Sequence, residues 1–293
     1  MMPLRRSVLS LPASNERAIA KLPSLAMDGV ILDLEDSVAE SAKDEGRCNI
    51  RNFLAEKPLR DREIIIRIND IASPHYAADL ELLLACAPDA VLLPKVKTAD
   101  DILELAGFLG DNDALESLRV WAMMETPLAI LNAGVIAETG RTAGGRLDCL
   151  VVGLNDLRKD TGVPPDPERR FVMPWLMQTV LAAGAFGLTV LDSVSNHFRD
   201  LAPFEAECAQ GRGMGFDGKM LIHPAQIEAA NRHFQPSTEE IAEAETIIAA
   251  FSRPEAAGLN AISIDGKMVE RLHYQQALAL MARVETIKAR TDA

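Results

Sequence analysis

The chain has 293 residues, 48% hydrophobic and 25% charged, a globular balance with length enough for one large domain or two small ones. Its 30 basic and 43 acidic residues leave a net charge of −13, which argues against nucleic acid as a partner because duplex binding needs a positive field. No apolar run approaches the roughly 20 residues that span a bilayer, so no membrane role is expected.

The N-terminal stretch MMPLRRSVLSLPAS places basic residues before an apolar piece too short for a signal-peptide core, and it reads as a first strand. Seven more apolar runs follow, giving eight in all: 6–11, 30–34, 64–68, 90–93, 120–124, 150–153, 188–191 and 219–222. Runs such as VILDL, IIIRI and CLVVG are apolar without alternation, the mark of parallel strands buried on both faces. Amphipathic stretches such as TADDILELAGFL lie between them. Strand and helix alternating eight times predict a (β/α)8 barrel over 1–234, with an open doubly wound sheet as the alternative.

After Pro224 the pattern changes to a helix ending near 234, a break at FQPST, and a helix capped by Ser237 or Thr238. An irregular stretch, RPEAAGLNAISIDGK, and a last helix over about 269–290 follow. Residues 235–293 therefore form a C-terminal helical extension, read either as a lid or as an oligomer-packing element. The four cysteines, Cys48, Cys86, Cys149 and Cys208, are far apart and make no zinc pattern, consistent with free thiols in the cytoplasm. No GxGxxG follows the first strand and no GxxxxGK[ST] occurs, which lowers nucleotide-dependent redox or phosphoryl transfer.

A barrel carries its chemistry at the C-terminal strand ends. The groups collected there are Ser10; Asp33, Glu35 and Asp36; Arg67 and Asn69; Lys95; Glu125; Asn155 and Asp156; Asp192 and Ser193; and His223. Glu125 and Asp156 follow consecutive strands, so closure brings them together. Two carboxylates in a partly dry mouth stay ionised cheaply only with a cation between them. Oxygen donors without His or Cys favour Mg²⁺, with Mn²⁺ as the substitute, and leave the remaining positions to water or substrate. Asp156 has a second reading, as the cap of the next helix. Arg67 on an apolar strand needs anionic partners, either a substrate carboxylate or the acids Glu35 and Asp36.

The motifs RRSVLSLPAS, DGVILDLEDSV, IIIRIND, AVLLPKV, WAMMETP, LVVGLNDL and GKMLIHPAQI, in that order, resemble the citrate lyase beta-subunit family of the HpcH/HpaI aldolase superfamily, with its malyl-CoA and citramalyl-CoA lyases. The resemblance implies Mg²⁺ on Glu125 and Asp156 and Arg67 on the carboxylate of a 2-oxo acid. It also implies that the backbone of Gly153, Leu154, Asn155 and Asp156 binds the same acid, and that Glu35 and Asp36 support Arg67. The implied reaction cleaves a 3-hydroxyacyl-CoA thioester into an acyl-CoA and a 2-oxo acid. Lys95 has an electrostatic role in that picture, against a Schiff-base alternative.

Relatives carry an Asp near the C-terminal GKM-like motif. Here SIDGKMVERLHYQQA places Glu270 there, so acid–base work falls to Glu270 or is missing. Cleavage of a free CoA thioester leads, with two alternatives: (3S)-malyl-CoA thioesterase, and a citrate lyase beta subunit acting on a carrier-bound citryl thioester. No CoA motif is visible; Arg5 and Arg6, or the loop RKDTGVPPDPERR, are the basic segments on offer. The resemblance further implies a homotrimer or hexamer.

Overall fold

Eight short parallel strands pair in chain order and close on themselves in the computed structural model, which describes residues 3–291 apart from 57, 58 and 60. Residues 1, 2, 292 and 293, the ends of the two expected segments, lie outside the described residues. The strands are β1 Ser7–Pro12, β2 Gly29–Asp33, β3 Glu63–Arg67, β4 Ala90–Leu93, β5 Arg119–Met124, β6 Leu147–Val152, β7 Thr189–Asp192 and β8 Gly218–Leu221. Pairing of β1 with both β2 and β8 closes the barrel and rules out the open sheet.

The unbroken apolar runs have a direct cause. Successive side chains point to opposite faces of a strand, and here both faces are buried. One set, including Val30, Leu32, Ile64, Ile66, Val91, Leu93, Leu150 and Val152, packs outward in one cluster with helix residues such as Ile50, Leu83 and Leu105. The alternate set, Val8, Ile31, Ile65, Leu92, Trp121, Met123, Cys149, Val151, Leu191 and Met220, fills the barrel interior as a separate cluster. The first crossover departs from the expected alternation, with only the four-residue helix Glu16–Ile19 and a 3-10 turn at Leu22–Ser24, whose Pro23 cannot continue a helix.

The chain divides into two compact units, Arg5–Phe234 and the part that holds Gln235 onward. In the second, Ser237 is the cap of the helix Thr238–Phe251: its Oγ accepts the Glu240 N–H at 3.1 Å while Glu240 accepts the Ser237 N–H at 2.8 Å. The stretch expected to be irregular contains an antiparallel hairpin instead, β9 Ala261–Ile264 and β10 Lys267–Glu270. Asp265 and Gly266, at φ 50° and 78°, make its two-residue turn, for which Asp-Gly is a strong signal. The last helix is Arg271–Thr291. Among the described residues no helix is long and apolar enough to cross a membrane.

Candidate active site

The inner layer predicts its own continuation. Two residues beyond Val8, Ile31, Ile65, Met123, Val151, Leu191 and Met220 stand Ser10, Asp33, Arg67, Glu125, Gly153, Ser193 and Ile222, and all seven line a cavity of about 450 Å³. The period of two that packs the interior thus delivers polar groups to the mouth.

Arg67 is clamped by Asp33, its register neighbour on β2. Nε donates to Asp33 Oδ1 and Nη2 to Oδ2, both at 2.6 Å, a bidentate geometry that fixes the guanidinium plane. Burial would raise the Asp33 carboxyl, but Arg67, Ser37 and the Glu35 N–H outweigh it and hold it below the usual range. Glu35 Oε2, buried, forms an ion pair with Arg67 Nη1 at 3.0 Å, and among the described residues no directed hydrogen bond reaches it. The Nη1 edge of Arg67 therefore faces Glu35, which an anionic ligand would share or displace. Of the two acids expected to support Arg67, Glu35 does so beside the stronger Asp33, whereas Asp36 pairs with Lys95 at 3.2 Å.

Glu125 and Asp156 converge on one point. Lys95 Nζ lies 3.0 Å from Asp156 Oδ1 and 3.7 Å from Glu125 Oε1, with Glu35 Oε1 at 3.6 Å. Lys95 sits in the left-handed region at φ 53°, and its peptide N–H donates to Glu125 Oε1 at 2.8 Å. Burial would lower its ammonium, but Glu125, Asp156 and Glu35 raise it well above an ordinary lysine, which disfavours the free amine that a Schiff base needs. Burial pushes the Glu125 carboxyl up to about 7 against the opposing pull of Lys95 and Arg67.

Glu125 is 1% exposed and its Oε2 has no hydrogen-bond partner. Gly153 makes room for it, since a Cβ there would lie 2.5 Å from Glu125 Cβ and 2.8 Å from Oε2. An orphaned buried carboxylate oxygen beside a second carboxylate fits a small divalent cation. Among the described residues no three His, Cys, Asp or Glu side chains cage an ion on their own, so substrate or water oxygens would complete the sphere.

Asp156 does not end a strand. β6 stops at Val152, and Asp156 stands in the first turn of the helix Leu154–Thr161, whose N-cap is Gly153. The expected backbone contacts to an acid narrow accordingly. Gly153 N–H goes to Met124 O at 3.1 Å and Leu154 N–H to Ser193 Oγ at 3.0 Å, leaving the amides of Asn155 and Asp156 without a partner among the described residues. Helix-start amides of this kind are suited to a carboxylate.

The other candidates lie elsewhere. Glu270 ends β10 in the C-terminal unit, where its N–H donates to His273 Nδ1 at 2.9 Å. Arg5 is buried, pairing with Glu63 at 2.7 Å and with Asp148 over the Trp121 ring, and Arg6 pairs with Asp28 at 2.8 Å. Both precede β1 at the N-terminal face, so neither serves a phosphate at the mouth. In the loop after the helix Leu154–Thr161, Arg169 is buried against Asp192 and Arg170 pairs with Asp166 at 2.9 Å.

A family model described as HpcH/HpaI aldolase/citrate lyase matches residues 6–224. A (3S)-malyl-CoA thioesterase of Cereibacter sphaeroides is 43% identical over 284 residues, covering 97% of this chain and 96% of that protein. The mitochondrial citramalyl-CoA lyase of Homo sapiens is 33% identical over 294 residues, covering 97% of this chain and 86% of that protein. Among solved structures, CitE of Mycobacterium tuberculosis in complex with magnesium, acetoacetate and coenzyme A superposes with a TM-score of 0.75 at 30% identity, covering 94% of this chain and 97% of that one.

Proposed function

The chain belongs to the HpcH/HpaI aldolase/citrate lyase family, and we propose that it is a Mg²⁺-dependent carbon–carbon lyase. Its substrate in this reading is a 3-hydroxyacyl-CoA thioester of the malyl-CoA or citramalyl-CoA kind, cleaved to an acyl-CoA and a 2-oxo acid. One observation carries the reading: Glu125 and Asp156 both line the cavity that Arg67 lines, and their carboxylates converge on one cation, the Lys95 ammonium. The magnesium-bound relative of known structure and the relative named citramalyl-CoA lyase support it.

Magnesium on Glu125 and Asp156, or manganese in its place, would supply Lewis acidity to the hydroxyl and carboxylate oxygens of the acid. The rest falls to the chain's own side chains. Arg67, immobilised by Asp33, holds the acid's carboxylate in competition with Glu35, and the Asn155 and Asp156 amides donate to the same group, aligning the bond that breaks. Lys95 offsets part of the negative charge at the mouth. Glu270 is assigned acid–base work, and 235–293 the packing of a homotrimer or hexamer or the closing of a site.

Incubation with malyl-CoA and citramalyl-CoA, with and without Mg²⁺, tests the proposal. Acetyl-CoA with glyoxylate or pyruvate, abolished by EDTA, is the expected result. The relative 43% identical over nearly its whole length favours a second reading, hydrolysis of the thioester, in which free CoA and the hydroxy acid appear instead. A thioester left intact under all conditions refutes both.

A further inference from the structure

A second buried charge cluster stands beside the cavity and takes no part in the proposed chemistry. Asp192, the last residue of β7, has no exposed surface. Lys219 Nζ donates to its Oδ2 at 2.8 Å, Arg169 Nη1 lies 2.8 Å from each oxygen, and the Ser193 N–H donates to Oδ1 at 2.8 Å. Lys219 also lies 3.3 Å from Glu207. Burial would raise the Asp192 carboxyl, but Lys219 and Arg169 outweigh it and keep the group charged. Gly211 is required alongside, because a Cβ there would stand 2.9 Å from Asp192 Oδ2.

This cluster ties down the front of the helix Leu154–Thr161 and the loop that follows it. At the front, Ser193 is oriented by its bond to Asp192 and its Oγ accepts the Leu154 N–H, the first amide of the helix that carries Asp156. Beyond the far end, the loop that follows the helix returns to the same carboxylate through Arg169, which is in the left-handed region at φ 55° and also donates from Nε to Gln210 at 2.7 Å. A non-glycine residue persists in that conformation when its surroundings hold it there.

We propose that Asp192 is the hub of a clamp on the Asp156-bearing helix, with Ser193 and Arg169 as positioning residues that fix where the Asp156 carboxylate stands. The link to metal binding rests on the proposed role of Asp156, whereas the clamp itself does not. Neither Ser193 nor Arg169 needs to touch the reacting atoms for this role. Supporting residues of this kind change metal affinity by about 10–100-fold when removed.

Two readouts test it: amide hydrogen exchange over 154–157 in the metal-free protein, read at the bonded amides of Leu154 and Leu157, and Mn²⁺ affinity by electron paramagnetic resonance. Ser193→Ala is expected to speed exchange over 154–157 and to weaken Mn²⁺ binding by about tenfold or more. Ser193→Thr, which keeps the hydroxyl, should restore both, and Arg169→Met should shift both in the direction of the alanine variant. If Ser193→Ala fails to fold, Arg169→Met carries the test alone. A folded Ser193→Ala or Arg169→Met protein with wild-type exchange over 154–157 overturns the clamp. Glu125→Gln serves as the control: if it binds Mn²⁺ like the wild type, the metal-site reading fails while the exchange data still judge the clamp.

Discussion

The two halves of the barrel mouth use the same side chains in different proportion. Around β7 and β8, Arg169 and Lys219 pair with Asp192 and Glu207 while Arg158 stands near Glu207, three cations to two carboxylates. Around β2 to β6, Arg67 and Lys95 face Asp33, Glu35, Asp36, Glu125 and Asp156, two cations to five carboxylates. In the first half Asp192 is bonded through both oxygens, and the buried atom left without a hydrogen bond among the described residues is a cation's, Arg158 Nε. The second leaves Glu35 Oε2 and Glu125 Oε2 buried without a hydrogen bond. Uncompensated buried charge is expensive, so a fold that keeps an excess of carboxylates on one side and none on the other marks where an external cation belongs.

The most severe way to break this contrast is Glu125→Gln. Lewis acidity supplies several kcal/mol to a transition state, so turnover should fall by about 10³-fold or more in a product assay. Stability should move the other way. The Glu125 carboxyl is raised by burial from 4.5 to about 7, so the folded metal-free protein holds an extra proton between those values. The stability that Glu125 confers is present below pH 4.5 and is lost as pH rises through about 7, at a cost of about 3 kcal/mol. Metal-free Glu125→Gln should therefore melt at or above the wild-type temperature at pH 8, and a clear drop would count against the excess-charge account.

Arg67→Lys keeps the charge but loses the fork that grips Asp33. It should lower kcat/KM by about 10²-fold, of the order expected when a reacting bond is misaligned. Gly153→Ala drives a Cβ into Glu125 at 2.5 Å and should cost about 1–3 kcal/mol in denaturant melts, with loss of Mn²⁺ binding. Asp36→Asn removes the most exposed of the five acids, 59% exposed at the side chain, and should change KM by less than about threefold because solvent screens it. An effect of Asp36→Asn as large as that of Arg67→Lys would mean that the excess charge is not concentrated at Glu125.

The barrel was legible in the sequence because strands buried on both faces cannot alternate, and the runs at β2, β3 and β6 do not. Arg67 and Glu125 could be picked as strand-end groups. Asp33 and Ser193 carry the same signal, since each lies two residues past an inward Ile31 or Leu191, yet the adjacent acids Glu35 and Asp36 drew the assignment of Arg67's partners. Asp156 stands in the first turn of a helix rather than at a strand end, and GLND reads equally as either. What no local pattern carried is long-range closure: Arg169 reaching Asp192 across 23 residues, and the left-handed Lys95 turned into the acids by the backbone after Pro94. Arg5 and Arg6 read as basic groups on offer to CoA because their partners Glu63, Asp148 and Asp28 are distant in the chain.

Anomalous diffraction from crystals of the wild-type protein soaked in Mn²⁺ tests the central claim most directly. The account predicts one strong peak per chain at the barrel mouth, bonded to one oxygen each of Glu125 and Asp156 and lost in Glu125→Gln. A peak bonded to neither carboxylate, or none at saturating Mn²⁺, would contradict it.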